Sequence, residues 1–265
     1  MVNVFSVLEK VRRQQPLVHH LTNWVTIFDC AQIVKSFGGS PIMAHAPEEA
    51  ADMSRLAGAT VLNIGTLTVE LVDAMKLAAC AANEKGAPVV LDACGAGATK
   101  LRDEKCFELL DTAKINIIKG NASEVSRIAG ENVRTKGVDA MKVEHDLVAM
   151  ARSLAKRRAC TVVVTGPEDI VSDGKTCYLV KNGHEMMSHL VGTGCMAASV
   201  IGAFAAVEPD LAAAAAAGLS CFEIAAELAV RGSRGPGSFR AKLFDCAFQL
   251  SRQQVESMQK VEVAE

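Results

Sequence analysis

Short apolar runs, separated by longer stretches with helical spacing, fill the first two thirds of the chain. Pro41–Met43, Thr60–Ile64, Val89–Asp92, Ile115–Ile118 and Thr161–Thr165 read as strands, several of them too continuously apolar to have a wet face. Between them, helical periodicity covers residues 22–37, 47–57, 68–85, 103–113, 121–129 and 144–158. This alternation predicts βαβ units, hence a mostly parallel sheet covered on both sides. After Thr165 the pattern changes. Asp169–Ser172 and Thr176–Val180 flank Asp173-Gly174, a strong hairpin signal, so an antiparallel edge is expected beside the parallel core. The final third reads as helix: Met196–Val207, a second helix containing the alanine run Ala212–Ala217, and Phe239–Lys260. No linker and no repeat interrupts the order, so one α/β domain over residues 1–265 is expected.

Composition narrows the picture. Half of the residues are apolar but only 4% are aromatic, so the core must be built from Ala, Val, Leu, Ile and Met, which suits helices packed on a parallel sheet. A net charge of −2 with scattered Lys and Arg gives no basic footprint, and no nucleic-acid partner is expected. The chain has no uninterrupted apolar run of about 18 residues and no signal-peptide order at its start, so the expectation is a cytoplasmic protein without a membrane partner. Nine cysteines include no CxxC pair and no zinc spacing; Cys80, Cys106, Cys160, Cys221 and Cys246 read as small buried apolar residues in a reducing compartment.

The candidate chemistry begins at Val191-Gly192-Thr193-Gly194-Cys195, at the entrance of an apolar helical pattern. Two glycines and a threonine there let bare N–H groups approach an anion, and the helix dipole adds about half a positive charge. Cys195 falls in the first turn, where a thiol pKa tends to be lowered. The alternative is a plain glycine turn before a packed helix. In an open parallel sheet ligands bind beyond the carboxyl ends of the strands, and the polar residues ending apolar runs are Asn63, Asp92, Lys119 and Thr165. Asp92, followed by a loop of small residues, could bind Mg²⁺ or cap a turn. Glu124, three residues after Asn121, fits a capping box, a role compatible with metal binding. His19 and His20 alone make no metal site. Gly235–Ser238 reads as a loop between two C-terminal helices.

Nine segments together carry a family likeness: HHLTNWV, GGSPIMAHAPEE, LNIGTL, VVLDACGAGAT, IIKGNASEV, VVVTGPEDIVSDG, NGHEM, VGTGCMAASVIGAFAAV and RGPGSFR. In this order and spacing, over nearly the whole chain, they resemble the hydroxyethylthiazole kinases of thiamine salvage, within the ribokinase-like superfamily. The resemblance implies a three-layer α/β/α sandwich and transfer of the γ-phosphate of ATP, with Mg²⁺, to the primary alcohol of 4-methyl-5-(2-hydroxyethyl)thiazole. It also implies a homotrimer with ligand sites between subunits. Carried over by motif, Met43 and Gly192 contact the thiazole, and Lys119, Thr165 and Gly194 contact ATP. Asp92 and Glu124 organise magnesium, and Cys195 takes the catalytic-base position, where sugar- and pyrimidine-kinase relatives have aspartate. The chain departs from the common pattern at His20 (usually Asn), at Ala93-Cys94 (usually Pro-Val) and at Lys119 (usually Arg). Lysine keeps the charge but loses the planar fork, and His20 is expected to alter a substrate or subunit contact. The other readings are a different small-alcohol kinase, such as a hydroxymethylpyrimidine kinase, and a thiazole-binding protein without turnover.

Overall fold

The computed structural model describes residues 2–130 and 147–264. Its sheet begins with six parallel strands in the order β2 (Ser40–Ile42), β1 (Leu17–Leu21), β3 (Ala59–Asn63), β4 (Val89–Asp92), β5 (Ile117–Asn121) and β6 (Thr161–Thr165). Three antiparallel strands extend it, β7 (Asp169–Ser172), β8 (Cys177–Val180) and β9 (Val261–Val263). The expected α/β class, with a parallel centre and an antiparallel edge, is what the chain forms.

Alternation along each strand builds the three layers. Val61, Val90, Ile117 and Val163 belong to one buried cluster, and their neighbours Leu62, Leu91, Ile118 and Val162 to the other, because successive side chains of a strand point to opposite faces. The first face is covered by α1 (Val4–Gln14), α2 (Ile27–Phe37), α8 (Thr193–Ala205), α9 (Leu211–Val230), α10 (Pro236–Gln249) and α11 (Arg252–Met258). The second is covered by α3 (Pro47–Leu56), α4 (Val69–Lys85), α5 (Lys100–Thr112), α6 (Ala122–Ala129) and α7 (Leu147–Arg158). By length and composition α9 could cross a membrane, yet 78% of its apolar window is buried inside the fold. Here Ala and Gly let helices approach the sheet closely. A Cβ on Gly202 would stand 2.4 Å from Val61 Cγ2.

Several elements differ from the sequence expectation. α1 was not expected, although Val4, Phe5, Val7, Leu8 and Val11 give it one apolar face. β1 was hidden because two histidines break its apolar run. β5 starts two residues late and runs through Lys119, so this lysine lies inside the sheet and pairs in register with Asp92. α8 starts at Thr193, three residues before the expected start. The expected helix Phe239–Lys260 is two helices: Ser251 and Gln254 form a capping box that starts α11, and Arg12 Nη1 donates to the Leu250 carbonyl left free by the break. Residues 144–146 of the expected helix 144–158 lie outside the described residues.

His20, expected to alter a substrate or subunit contact, is fully buried in β1, so such an effect would have to pass through its neighbours. Its Nδ1 donates to the Val18 carbonyl 3.1 Å away, and burial pushes its pKa down to about 4. A group with a depressed folded pKa binds its proton more readily when unfolded, so it withdraws stability as pH falls from about 6.5 to about 4. For a shift of this size the withdrawal is about 3 kcal/mol. Urea unfolding of the wild type and His20→Asn at pH 7 and pH 4.5 is expected to show a smaller acid loss in the variant. Equal losses would assign the acid sensitivity elsewhere.

Candidate active site

The carboxyl ends of β3, β4 and β5 and the N-terminus of α8 converge on one buried polar chain. Asp92, the last residue of β4, sits between two donors: Lys119 Nζ reaches Oδ1 at 3.1 Å and Asn63 Nδ2 reaches Oδ2 at 2.6 Å. Asn63 Oδ1 accepts from Asn23 Nδ2 at 2.9 Å, and the same amide nitrogen lies 3.3 Å from Cys195 Sγ. Asn23 is fixed in turn by accepting at Oδ1 from the backbone and hydroxyl of Thr26 and from Val25 N–H. Parallel pairing makes this possible, because Asn63, Asp92 and Lys119 fall side by side in register.

α8 enters this group through Gly192, whose φ of +93° belongs to the left-handed region. Any side chain there would collide, since a Cβ would stand 2.4 Å from Thr26 Cγ2. Thr193, Gly194 and Cys195 then form the first turn, whose N–H groups have no partner within the helix. A Cβ on Gly194 would be 3.1 Å from Lys119 Nζ, so the ammonium stands beside this residue of the first turn. Glycine keeps the approach open for an anion.

Electrostatics divides the group sharply. Burial pushes the Asp92 carboxyl well above the usual carboxylate range even with Lys119 beside it. Burial also opposes the Lys119 charge, but Asp92 and Glu124 outweigh it and hold the ammonium above its ordinary value. Cys195 is pulled well below an ordinary thiol, first by a hydrogen bond from the Cys94 thiol and then, against its burial, by Lys119, Thr26 and Asn23. Cys94 is pushed up correspondingly. This role of Cys94 was not legible as chemistry; the only trace was its departure from the family pattern.

The loop 93–99 is tied down from both sides. Glu124 Oε1 accepts from Gly95 N–H at 2.7 Å, while Oε2 accepts from Asn121 N–H at 2.8 Å and completes the expected capping box. Arg102 Nη1 donates to the Ile64 and Cys94 carbonyls. Thr165, at the end of β6, borders a cleft of 610 Å³ that also touches Thr193 and Gly194. The apolar wall of this cleft is Ala197, Leu219, Phe222 and Met187, and its polar side includes Asp169 and Glu223.

Lys119, Asp92 and Cys195 are thus joined in one network; Glu124 borders it through the loop, and Thr165 and Gly194 face the cleft. Met43 lies apart, beyond edge strand β2, where its carbonyl accepts from His45 Nδ1. A string of contacts runs from there toward Gly192. His45 Nε2 accepts from Thr22 N–H, the His45 ring stacks on Trp24 at 5.0 Å, and Thr26 touches Gly192. Asn23, the link between Cys195 and the sheet, was present in a motif but not among the candidate residues.

Residues 8–253 match the Hydroxyethylthiazole kinase family. A hydroxyethylthiazole kinase of Methanosarcina mazei is 54% identical over 255 residues, covering 96% of this chain and 98% of its own. The solved hydroxyethylthiazole kinase of Pyrococcus horikoshii superposes with a TM-score of 0.91 at 40% identity, over 99% of each chain. A ribokinase-like superfamily protein of Enterococcus faecalis, only 12% identical, shares the fold at a TM-score of 0.61, covering 87% of this chain and 86% of its own.

Proposed function

Because this chain belongs to the hydroxyethylthiazole kinase family, we propose that it phosphorylates the primary alcohol of 4-methyl-5-(2-hydroxyethyl)thiazole with ATP, around Cys195 and the first turn of α8. One observation carries the site assignment: the amide-lined start of α8 joins the cleft to the network holding Cys195, Lys119 and Asp92. ATP lies in the cleft past Thr165, with its terminal phosphate toward the Gly192–Cys195 amides and Lys119. The thiazole approaches on the other side, beside Gly192 and Met43.

Phosphoryl transfer has a loose transition state, so alignment and charge neutralisation dominate. The alcohol oxygen forms a bond to the γ-phosphorus while the bond to the bridging oxygen breaks and ADP departs. The alcohol proton passes to Cys195 Sγ, whose thiolate is stabilised by Cys94, Lys119, Thr26 and Asn23. Lys119 and the α8 amides take up charge on the equatorial oxygens.

The acidic residues fit magnesium. Asp92 and Glu124 offer hard oxygens with lone pairs left over after their protein hydrogen bonds, and Asp92 is more buried than one ammonium can offset. A pair of carboxylates is enough for an ion that keeps several of its waters. When bound, Mg²⁺ neutralises charge on the nucleotide phosphates. Asp92→Asn and Glu124→Gln are expected to need at least tenfold more Mg²⁺ for half-maximal rate. Wild-type metal dependence in both would remove the two carboxylates from this role.

Trp24, Val25, Phe28 and Val191 are large apolar residues left exposed around Gly192. In a homotrimer with sites between subunits this surface is covered, which accounts for apolar exposure beside a binding region. The remaining assignments are a single domain and a cytoplasmic location. Mass spectrometry of the product formed from the thiazole, ATP and Mg²⁺ tests the reaction, with pyrimidine alcohols as competitors. Tight thiazole binding without ADP would leave a binding protein, and faster pyrimidine turnover a different kinase.

A further inference from the structure

Glu223, on α9, lines the cleft yet is buried, and its Oε2 has no hydrogen-bond partner. No cation pairs with it among the described residues. Glu227, one turn later, is by contrast held at 3.0 Å by both Asn182 Nδ2 and Gly183 N–H. The polar neighbour of Glu223 is Asp169, at the start of β7, which accepts from Gly166 N–H at 2.9 Å and shares a hydrogen bond with Glu223.

Two buried carboxyls in contact cannot both ionise. Burial, and then the charge of Asp169, push Glu223 well up, so Glu223 carries the proton and donates it toward Asp169. The remaining Glu223 oxygen can therefore only accept. Gly183 keeps the approach open: with φ at +111°, it lacks the side chain that would begin 3.7 Å from the Glu223 carboxyl carbon.

We propose that the Glu223 carboxyl, held by Asp169, accepts a hydrogen bond from the exocyclic amino group of the nucleobase and so selects adenine nucleotides over 6-oxopurine nucleotides. The inference rests on the assignment of ATP to this cleft. Phosphates belong at the Gly194 amides beside Lys119; that ammonium reaches Asp169 only as the smallest of the influences on its carboxyl, and an acidic pair with no free donor suits the base rather than a phosphate. There Leu219, Phe222, Ala197 and Met187 offer apolar walls suited to a flat heterocycle. A 6-oxo group would set oxygen against oxygen, and a site built for a donor rejects the analogue lacking it.

The test is calorimetric binding of non-hydrolysable ATP and ITP analogues, with 2′-deoxy-ATP as a control, to the wild type, Glu223→Gln and Glu223→Leu. The wild type is expected to prefer the adenine analogue about tenfold, the size of one hydrogen bond. Gln can donate to Asp169 and accept from the amine, so it keeps the preference; Leu brings the ratio close to one. A Leu variant that still discriminates, a Gln variant that does not, or a loss confined to the 2′-deoxy nucleotide overturns the inference and leaves the kinase assignment standing. Failure of every nucleotide to bind overturns both, and is distinct from binding without selectivity.

Discussion

Lys119→Met is expected to lower kcat/KM by about 10²–10³-fold and to destabilise the fold by about 3–5 kcal/mol, as loss of one partner from a buried ion pair does. The lysine and aspartate side chains are 5% and 1% exposed, so nothing from solvent replaces the missing charge. Asp92 would take up a proton or remain buried and unpaired. The stability loss and the activity loss have different origins, and the double variant Lys119→Met, Asp92→Asn separates them. It removes both charges, so thermal unfolding should recover much of the stability, while turnover stays low because the phosphoryl group still lacks its cation. Recovery of turnover along with stability would mean that Lys119 serves the fold alone.

Cys195→Ala is expected to reduce kcat by about 10²-fold, the lower end of what a positioned base contributes, with a small change in KM. A loose transition state tolerates a weak base, which is why the loss should stop short of inactivity. Cys195→Asp keeps an acceptor beside Lys119 and Asn23 and should retain most of the rate. Single-turnover measurements isolate the chemical step. If alanine leaves that step unchanged, the sulfur has no part in the proton transfer and the α8 amides carry the catalysis.

The parallel centre, the hairpin and the family were legible because their signals are local: apolar runs of strand length, an Asp-Gly turn, and glycine-rich segments in a fixed order. α1, β1 and β9 were not. A short amphipathic helix, a strand carrying two histidines and a three-residue edge strand acquire their identity only from what packs or pairs with them. The break at Leu250 belongs here too, since Arg12 from the far end of the chain satisfies the carbonyl that the break exposes.

The site divides along the same line. The sequence by itself determined the residue types gathered at the candidate site: the Gly-Thr-Gly-Cys entrance to α8, acids and a lysine at or near strand ends, and a capping box at Glu124. Tertiary structure alone decided their state. Strand register set Lys119 beside Asp92, loop 93–99 brought the Cys94 thiol to Cys195, and the packing of α9 against β7 pressed Glu223 onto Asp169. Charge and proton position depend on distance and burial, and both arise from contacts between residues far apart in the chain, so no local pattern of letters encodes them.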